Sequence, residues 1–77
     1  MHRPMNTVRF DSIPPVEVRD VLKRYGFRWN RGAGCWQAPA SIATATVADH
    51  FRGGNLDVTH LDEHVAERGM EEACGII

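Results

Sequence analysis

The segment from His60 to His64 reads His-Leu-Asp-Glu-His and matches the H-x-x-E-H pattern of one class of zinc hydrolase. In that pattern two histidines one helical turn apart hold the zinc ion, and the glutamate, here Glu63, acts as the general base. A catalytic zinc ion also needs a third protein ligand and a cleft, and few residues follow this segment to supply them. We therefore expect no functional metal site and no cofactor, and at most adventitious metal capture by His60 and His64.

Nucleophilic catalysis would need a thiol or hydroxyl group beside a histidine. Cys35 and Ser41 are the candidate nucleophiles, and His50 is the histidine whose placement suits them, but no nucleophile-elbow motif surrounds either one. Residues 31–34 read Arg-Gly-Ala-Gly and lack the spacing, the Lys-Ser/Thr pair and the following helix of a phosphate-binding loop. The sequence therefore favours a protein that is not an enzyme.

A basic set of side chains lies around Trp29 and Trp36 in the sequence. Its members are Arg19, Lys23, Arg24, Arg28 and Arg31. Such cations can hold the phosphates of single-stranded nucleic acid while tryptophan rings stack on its bases. The alternation along the predicted strands instead points both rings into the core, and the cations then form a solvated surface. The solvated surface is the favoured interpretation of this basic set, and binding of single-stranded nucleic acid is the alternative function that it could serve.

An acidic set of side chains lies near the C-terminus. Its members are Asp62, Glu63, Glu67, Glu71 and Glu72. Residues 1–54 carry eight basic and four acidic side chains, residues 55–77 carry one and six, and the whole chain has a net charge of −1. Such a set is usually the solvated face of a helix, but it can also dock on a protein partner with a basic surface, where carboxylates take the place of nucleic-acid phosphates.

A predicted β-hairpin over residues 26–39 organises these side chains. A turn centred between Gly32 and Ala33 places Trp29 directly opposite Trp36. Because side chains alternate along a strand, two sets of four residues lie on opposite faces. The expected core face holds Phe27, Trp29, Trp36 and Ala38, and the expected surface face holds Arg28, Asn30, Cys35 and Gln37.

Apolar spacing and capping residues predict the other elements. Residues 7–11 alternate as a strand that turns Val8 and Phe10 inward. A helix follows over residues 16–25, begun by two prolines and ended at Gly26. A second helix runs from the N-cap Ser41 to about residue 51, and a third, over residues 60–74, opens with Thr59 and Asp62 in the positions of a capping box.

The predicted order is β-α-β-β-α-α, which makes a small single α+β domain with a three-stranded, mainly antiparallel sheet and helices on one face. Residues 1–6 read as a flexible arm and residues 7–77 as the domain. Within it, residues 7–39 form a β-α-β-β core module and residues 40–77 a helical extension that ends in the acidic helix.

Length and composition set broad limits. The chain has 77 residues, no apolar run near the ~20 residues that span a membrane, and no apolar segment behind its N-terminus, so we expect a cytoplasmic protein. Its two cysteines are too few for a disulfide framework. A thiol near the C-terminus, Cys74, can form an intermolecular disulfide, which makes a homodimer a further hypothesis.

The run LKRYGFRWNRGAGCWQAP, residues 22–39, resembles a short module of phage and mobile-element proteins. It is also faintly similar to the HARP domain of annealing helicases, which shares a β-α-β-β layout and a tryptophan after the turn. The resemblance covers residues 8–39 and ends before the acidic helix. A small phage-type protein with divided charge resembles anti-CRISPR proteins. That resemblance implies an inhibitor that binds a host CRISPR-Cas surveillance complex through the acidic set and blocks its cationic DNA channel.

Overall fold

The part of the chain that the structure describes contains three strands and three helices in the predicted order. A computed structural model describes residues 4–74, with the backbone alone for residues 72–74. The elements are β1 (Met5–Val8), α1 (Val16–Arg24), β2 (Arg28–Asn30), β3 (Cys35–Pro39), α2 (Ile42–Arg52) and α3 (Leu61–Cys74). The predicted α+β class is confirmed. Within residues 4–74, no helix is long and apolar enough to cross a membrane.

The sheet is antiparallel and has the order β1-β3-β2, so β3 is its central strand. The predicted hairpin register is confirmed, with Trp29 opposite Trp36. Strand β1 differs from the prediction because it covers Met5–Val8 and pairs Val8 with Trp36. Residues 5 and 6 therefore belong to the sheet, although a flexible arm was expected there. Phe10 lies beyond the end of β1, not in the sheet as predicted, and packs on Phe51 with ring centroids 5.8 Å apart.

The hairpin closes through a four-residue turn, residues 31–34. The N–H of Gly34 donates to the carbonyl oxygen of Asn30 at 2.8 Å, and the N–H of Ala33 donates to the Asn30 side-chain oxygen at 3.0 Å. Gly34 has φ +68°, a conformation that residues with a side chain rarely adopt. Asn30 and Gly34 together set the register that places the two tryptophans side by side.

A Schellman motif ends α1 and directs the chain into the hairpin. Gly26 has φ +88° and donates its N–H to the carbonyl of Lys23 at 3.0 Å, while Phe27 donates to the carbonyl of Leu22 at 2.8 Å. Leu22 and Phe27 are both buried, which is the apolar contact that usually accompanies this motif. The C-cap thus fixes where β2 begins.

A reciprocal capping box starts α2. The Ser41 hydroxyl accepts from the N–H of Thr44 at 3.0 Å, and the Thr44 hydroxyl accepts from the N–H of Ser41 at 2.9 Å. Asn6 also donates its side-chain N–H to the Thr44 hydroxyl at 2.9 Å. The buried Thr44 therefore joins β1 to the start of α2.

Helix α3 begins differently from the prediction. Asp57, rather than a Thr59–Asp62 box, organises the start, because its carboxylate accepts from the N–H and the hydroxyl of Thr59 at 2.9 and 2.6 Å. These hydrogen bonds lower the pKa of the Asp57 carboxyl group. Asp62 points instead towards α1. Leu61 and Val65 are the buried residues that anchor α3.

The core lies between one face of the sheet and the helices. Its sheet residues, Val8, Trp36 and Ala38, share that face and cluster with buried residues of all three helices. Two predictions about the hairpin are wrong. Trp29 is 53% exposed because β2 is an edge strand, and Cys35 is only 1% exposed although it lies on the opposite face. Cys35 occupies the central strand, flanked on both sides, and is not part of the main core cluster.

Replacing each tryptophan with alanine should distinguish the buried environment of Trp36 from the exposed environment of Trp29. Trp36→Ala should lower the unfolding free energy by about 3–5 kcal/mol, most of the stability of so small a domain, because it empties a core site. Trp29→Ala should cost about 1–2 kcal/mol, since it removes an aromatic contact and a half-exposed ring. Urea unfolding followed by circular dichroism measures both, and equal losses would contradict this assignment of the core.

Candidate nucleic-acid interface

Two of the predicted cations meet on the hairpin. Arg28 and Arg31 are exposed and line one shallow depression of about 650 Å³, which we call the hairpin depression. Its other lining residues include Met5, Trp29, Asn30 and Gln37. The register places Arg28, Asn30 and Gln37 on the sheet face opposite the core. The Asn30 amide donates to the Gln37 oxygen at 3.1 Å, so this face presents side chains that are already ordered.

Trp29 borders the hairpin depression at the edge of the sheet, and its ring lies with Trp36 on the core face. Its ring contacts Trp36 in an edge-to-face arrangement, with centroids 5.8 Å apart and an interplanar angle of 62°. Trp36 is 7% exposed and Trp29 is 53% exposed, so a buried ring holds an accessible one in place. An exposed, oriented indole at the sheet edge can stack on a planar ring, while Arg28 and Arg31 in the adjoining depression attract an anion.

The remaining cations of the basic set lie elsewhere. Arg24 pairs with Asp62, Lys23 is exposed on α1 outside the depression, and Arg19 lines a second groove on the other side of Trp29. The structure therefore divides the predicted basic set. Arg28 and Arg31 are its two members that line the hairpin depression together with Trp29.

The acidic set is also divided. Asp62 accepts a hydrogen bond from the Tyr25 hydroxyl and lies 3.2 Å from an Arg24 guanidinium nitrogen. The Arg24 guanidinium also lies 5.9 Å from the centre of the Tyr25 ring. Burial and the hydrogen bond to Asp62 raise the pKa of Tyr25 to about 12. Asp62 thus ties α3 to the end of α1, and its carboxylate is not free for a partner.

Three other acidic residues remain exposed on α3. Glu63, Glu67 and Glu71 are spaced four residues apart, which places them along one helix face. The side chains of Glu72 and Cys74 lie outside the described residues, so the proposed disulfide and dimer stay predictions.

Three of the four histidines line a small depression between α2 and α3. His50, His60 and His64 surround about 300 Å³ together with Asp57. The Nε2 atom of His50 is 2.8 Å from the Asp57 carbonyl oxygen, and His60 lies 3.6 Å from Glu63. Among the side chains of residues 4–71, no group of three or more potential ligands is arranged to hold a metal ion.

The residues considered for nucleophilic catalysis have structural roles in the fold. The Ser41 hydroxyl caps α2, and the Cys35 thiol is buried in the central strand. His50 contacts the loop before α3.

The sequence pattern did not predict that Trp29 is exposed or that it lines a groove. The alternation correctly places Trp29 and Trp36 on one face, but it does not give the order of the strands across the sheet. Pairing of β1 with β3 leaves β2 at the edge, where the helices cover its inward face incompletely. The glycine-containing turn and the arginines at positions 28 and 31 were the features of the sequence that indicated an accessible hairpin.

Comparison with protein-family models, curated proteins and solved structures yields no match to this chain. The resemblance of residues 22–39 to a phage module therefore stays a prediction.

Titration of Tyr25 tests the link between α1 and α3. It is the single tyrosine of the chain, so tyrosinate absorbance reports it alone. The folded protein should titrate with a midpoint near pH 12, whereas the unfolded chain titrates near 10. Because folding raises this pKa, its contribution to stability is complete below pH 10 and is lost as the pH rises towards 12.

Asp62→Asn should lower the midpoint towards 10 without reaching it, because burial, the larger cause, remains. Glu63→Gln removes a neighbouring carboxylate and should leave the midpoint unchanged. A wild-type midpoint near 10 would show that the Tyr25–Asp62 contact is absent in solution.

Proposed function

We propose that this protein binds single-stranded nucleic acid at the hairpin depression. In this proposal the strand passes around the edge of β2, so that Trp29 stacks on a base while Arg28 and Arg31 hold the adjoining phosphates in the hairpin depression. The observation that carries the proposal is the 53% exposure of Trp29 beside those two arginines. Large apolar rings on a small protein are ordinarily buried, so an exposed indole with a fixed orientation favours a ligand with a planar face.

The charge around Trp29 favours an anionic ligand. Arg28 and Arg31 are exposed and form no salt bridge with the described side chains, those of residues 4–71. Their guanidinium groups carry donors whose geometry suits phosphate oxygens. Asn30 and Gln37 add hydrogen-bonding groups in the same depression without adding charge.

A single strand suits this arrangement better than a duplex. Stacking needs the face of a base, which a duplex hides between neighbouring base pairs and a single strand exposes. Stacking also works with every base because each has a π-face. The hairpin depression therefore favours a short stretch of single strand with little dependence on sequence.

The net charge of −1 limits the strength of binding and gives it an orientation. The acidic residues Glu63, Glu67 and Glu71 lie on a different element, α3, so they repel a nucleic acid that approaches from their side. Attraction is confined to the basic part of the molecule. We expect modest affinity with a marked dependence on salt.

Removing the cations or the ring should weaken binding in different ways. Arg28→Gln with Arg31→Gln should reduce the slope of log K against log salt by about 1.4, because two phosphate contacts are lost. Trp29→Ala should weaken binding about 5- to 150-fold, the equivalent of one lost stacked base, and Trp29→Phe should restore part of it. Fluorescence anisotropy of a labelled oligothymidine measures these effects.

The matched control removes two exposed cations outside the hairpin depression. Arg9→Gln with Lys23→Gln changes the net charge equally and should leave the slope nearly unchanged. Equal effects of the two double variants, or a preference for duplex over single strand, would contradict the proposed site.

A second candidate function is inhibition of a CRISPR-Cas surveillance complex, as the phage-type resemblance implies. The observation that favours it is the exposed row of Glu63, Glu67 and Glu71 on α3, spaced one helical turn apart. Carboxylates in a row can occupy a cationic groove that otherwise holds DNA phosphates. Asp62 is not part of this surface because Arg24 and Tyr25 engage it.

Charge reversal on α3 tests this second candidate. If the acidic row blocks the DNA channel, wild-type protein should remove the band of the surveillance complex bound to labelled target DNA in a gel shift. Glu67→Lys with Glu71→Lys should restore that band. Arg28→Gln with Arg31→Gln should inhibit like wild type. A lane with protein and DNA alone reports direct binding, and an undiminished complex band with wild type would exclude this function for the complex tested.

A further inference from the structure

A second groove, which we call the aromatic groove, lies on the other side of Trp29 from the hairpin depression. It encloses about 470 Å³ between the loop that precedes α1, the helix itself and the two tryptophans. Its walls are mainly Phe10, Ile13, Pro14, Arg19, Trp29 and Trp36. Because Trp36 lies on the core face of the sheet, the groove is on the face that carries the ring of Trp29. Trp29 lines both spaces, so they adjoin at the edge of β2.

The walls of the aromatic groove are held in place by contacts within the protein. Phe10 packs on the buried Phe51, with ring centroids 5.8 Å apart. Ile13 precedes the buried Pro14, and a proline restricts the backbone of the residue before it to extended conformations. The edge-to-face contact with the second tryptophan orients Trp29. A ligand therefore meets a preformed groove and loses little free energy in ordering it.

Ile13 is an apolar side chain whose position the core does not explain. It is 84% exposed and does not belong to the hydrophobic core cluster. It lies in the same groove as the half-exposed ring of Trp29. Large apolar groups that lie together on a protein surface mark a site of interaction, because a ligand that covers them removes their surface from water.

The charges around the aromatic groove favour a ligand that is both flat and anionic. Among the described residues that line the groove and the hairpin depression, none is acidic. Arg19 lines the groove, and Arg28 and Arg31 line the depression. A single strand of nucleic acid combines phosphate charge with flat, partly apolar bases, so it complements the two adjoining spaces.

We propose that the base that stacks on Trp29 enters the aromatic groove and lies between that ring and Ile13. The inference rests on the proposed function and adds to it the pocket that takes the base and a further binding residue, Ile13. The base must leave the stack of its neighbours to enter, which costs least in a strand that is already single. Its faces contact apolar walls, so the groove accepts any of the four bases.

Nuclear magnetic resonance of the protein with a short oligothymidine locates the base directly. The methyl signals of Ile13 should shift on titration and show nuclear Overhauser effects to protons of a thymine base. The methyl signals of Ile42 should not move, because this isoleucine is exposed on α2 and does not line the groove. The amide signals of Arg28 and Arg31 report independently that the strand occupies the hairpin depression.

Replacing Ile13 tests the same contact through affinity. Ile13→Ser should weaken oligothymidine binding about fivefold, because the base loses the apolar wall opposite Trp29. The slope of log K against log salt should not change, since the phosphate contacts remain. Val16→Ser is the matched control, because it removes an exposed aliphatic side chain three residues away that does not line the groove, and it should bind like wild type.

The outcomes separate this inference from the function on which it rests. Circular dichroism of each variant confirms that it is folded. Shifts at Arg28 and Arg31 without contacts at Ile13 would overturn the inference while single-strand binding stands. Equal affinities of Ile13→Ser and Val16→Ser would do the same. Absence of any shift on titration, together with no change in anisotropy, would overturn the proposed function and this inference with it.

Discussion

Strand β3 pairs on both sides, and the packing of the rest of the chain depends on that position. Trp36, the second residue of β3, lies opposite Val8 of β1 and Trp29 of β2. Helices can then cover Trp36 from one face while neighbouring strands flank it, which accounts for its burial. A domain of 77 residues has little other apolar volume to bury, so the central tryptophan anchors the core that all three helices share.

The same hairpin also creates the surface with the clearest chemistry. The edge-to-face contact with Trp36 orients the ring of Trp29, and the edge position of β2 leaves that ring accessible. Arg28 and Arg31 line the depression on one side of Trp29, and Arg19 lines the groove on the other. The contact with Trp36 connects the candidate interface to the core, and a ring that is held in place loses less entropy when a ligand binds.

Charged side chains divide the surface into a basic and an acidic region, and the ion pair of Arg24 with Asp62 connects the two. Asp62 meets Arg24 and Tyr25, and this contact sets the acidic helix against the end of α1. Both members of the ion pair are more than half exposed, so it contributes less than about 1 kcal/mol. Its larger consequence is to remove one carboxylate and one cation from the two candidate surfaces, which leaves a glutamate row on α3 and an arginine pair on the hairpin.

The local features of this protein are determined by the sequence, because they depend on residues close together in the chain. Glycine spacing and alternation predict the hairpin register, Gly26 predicts the end of α1, and Ser41 predicts the start of α2. The tertiary structure decided the strand order, and with it the exposure of Trp29. It also decided the contacts of Asp62, because Arg24 and Tyr25 are distant from it in the sequence. Alternation assigns a side chain to a face of the sheet, but only the packing of the whole chain decides whether that face is covered.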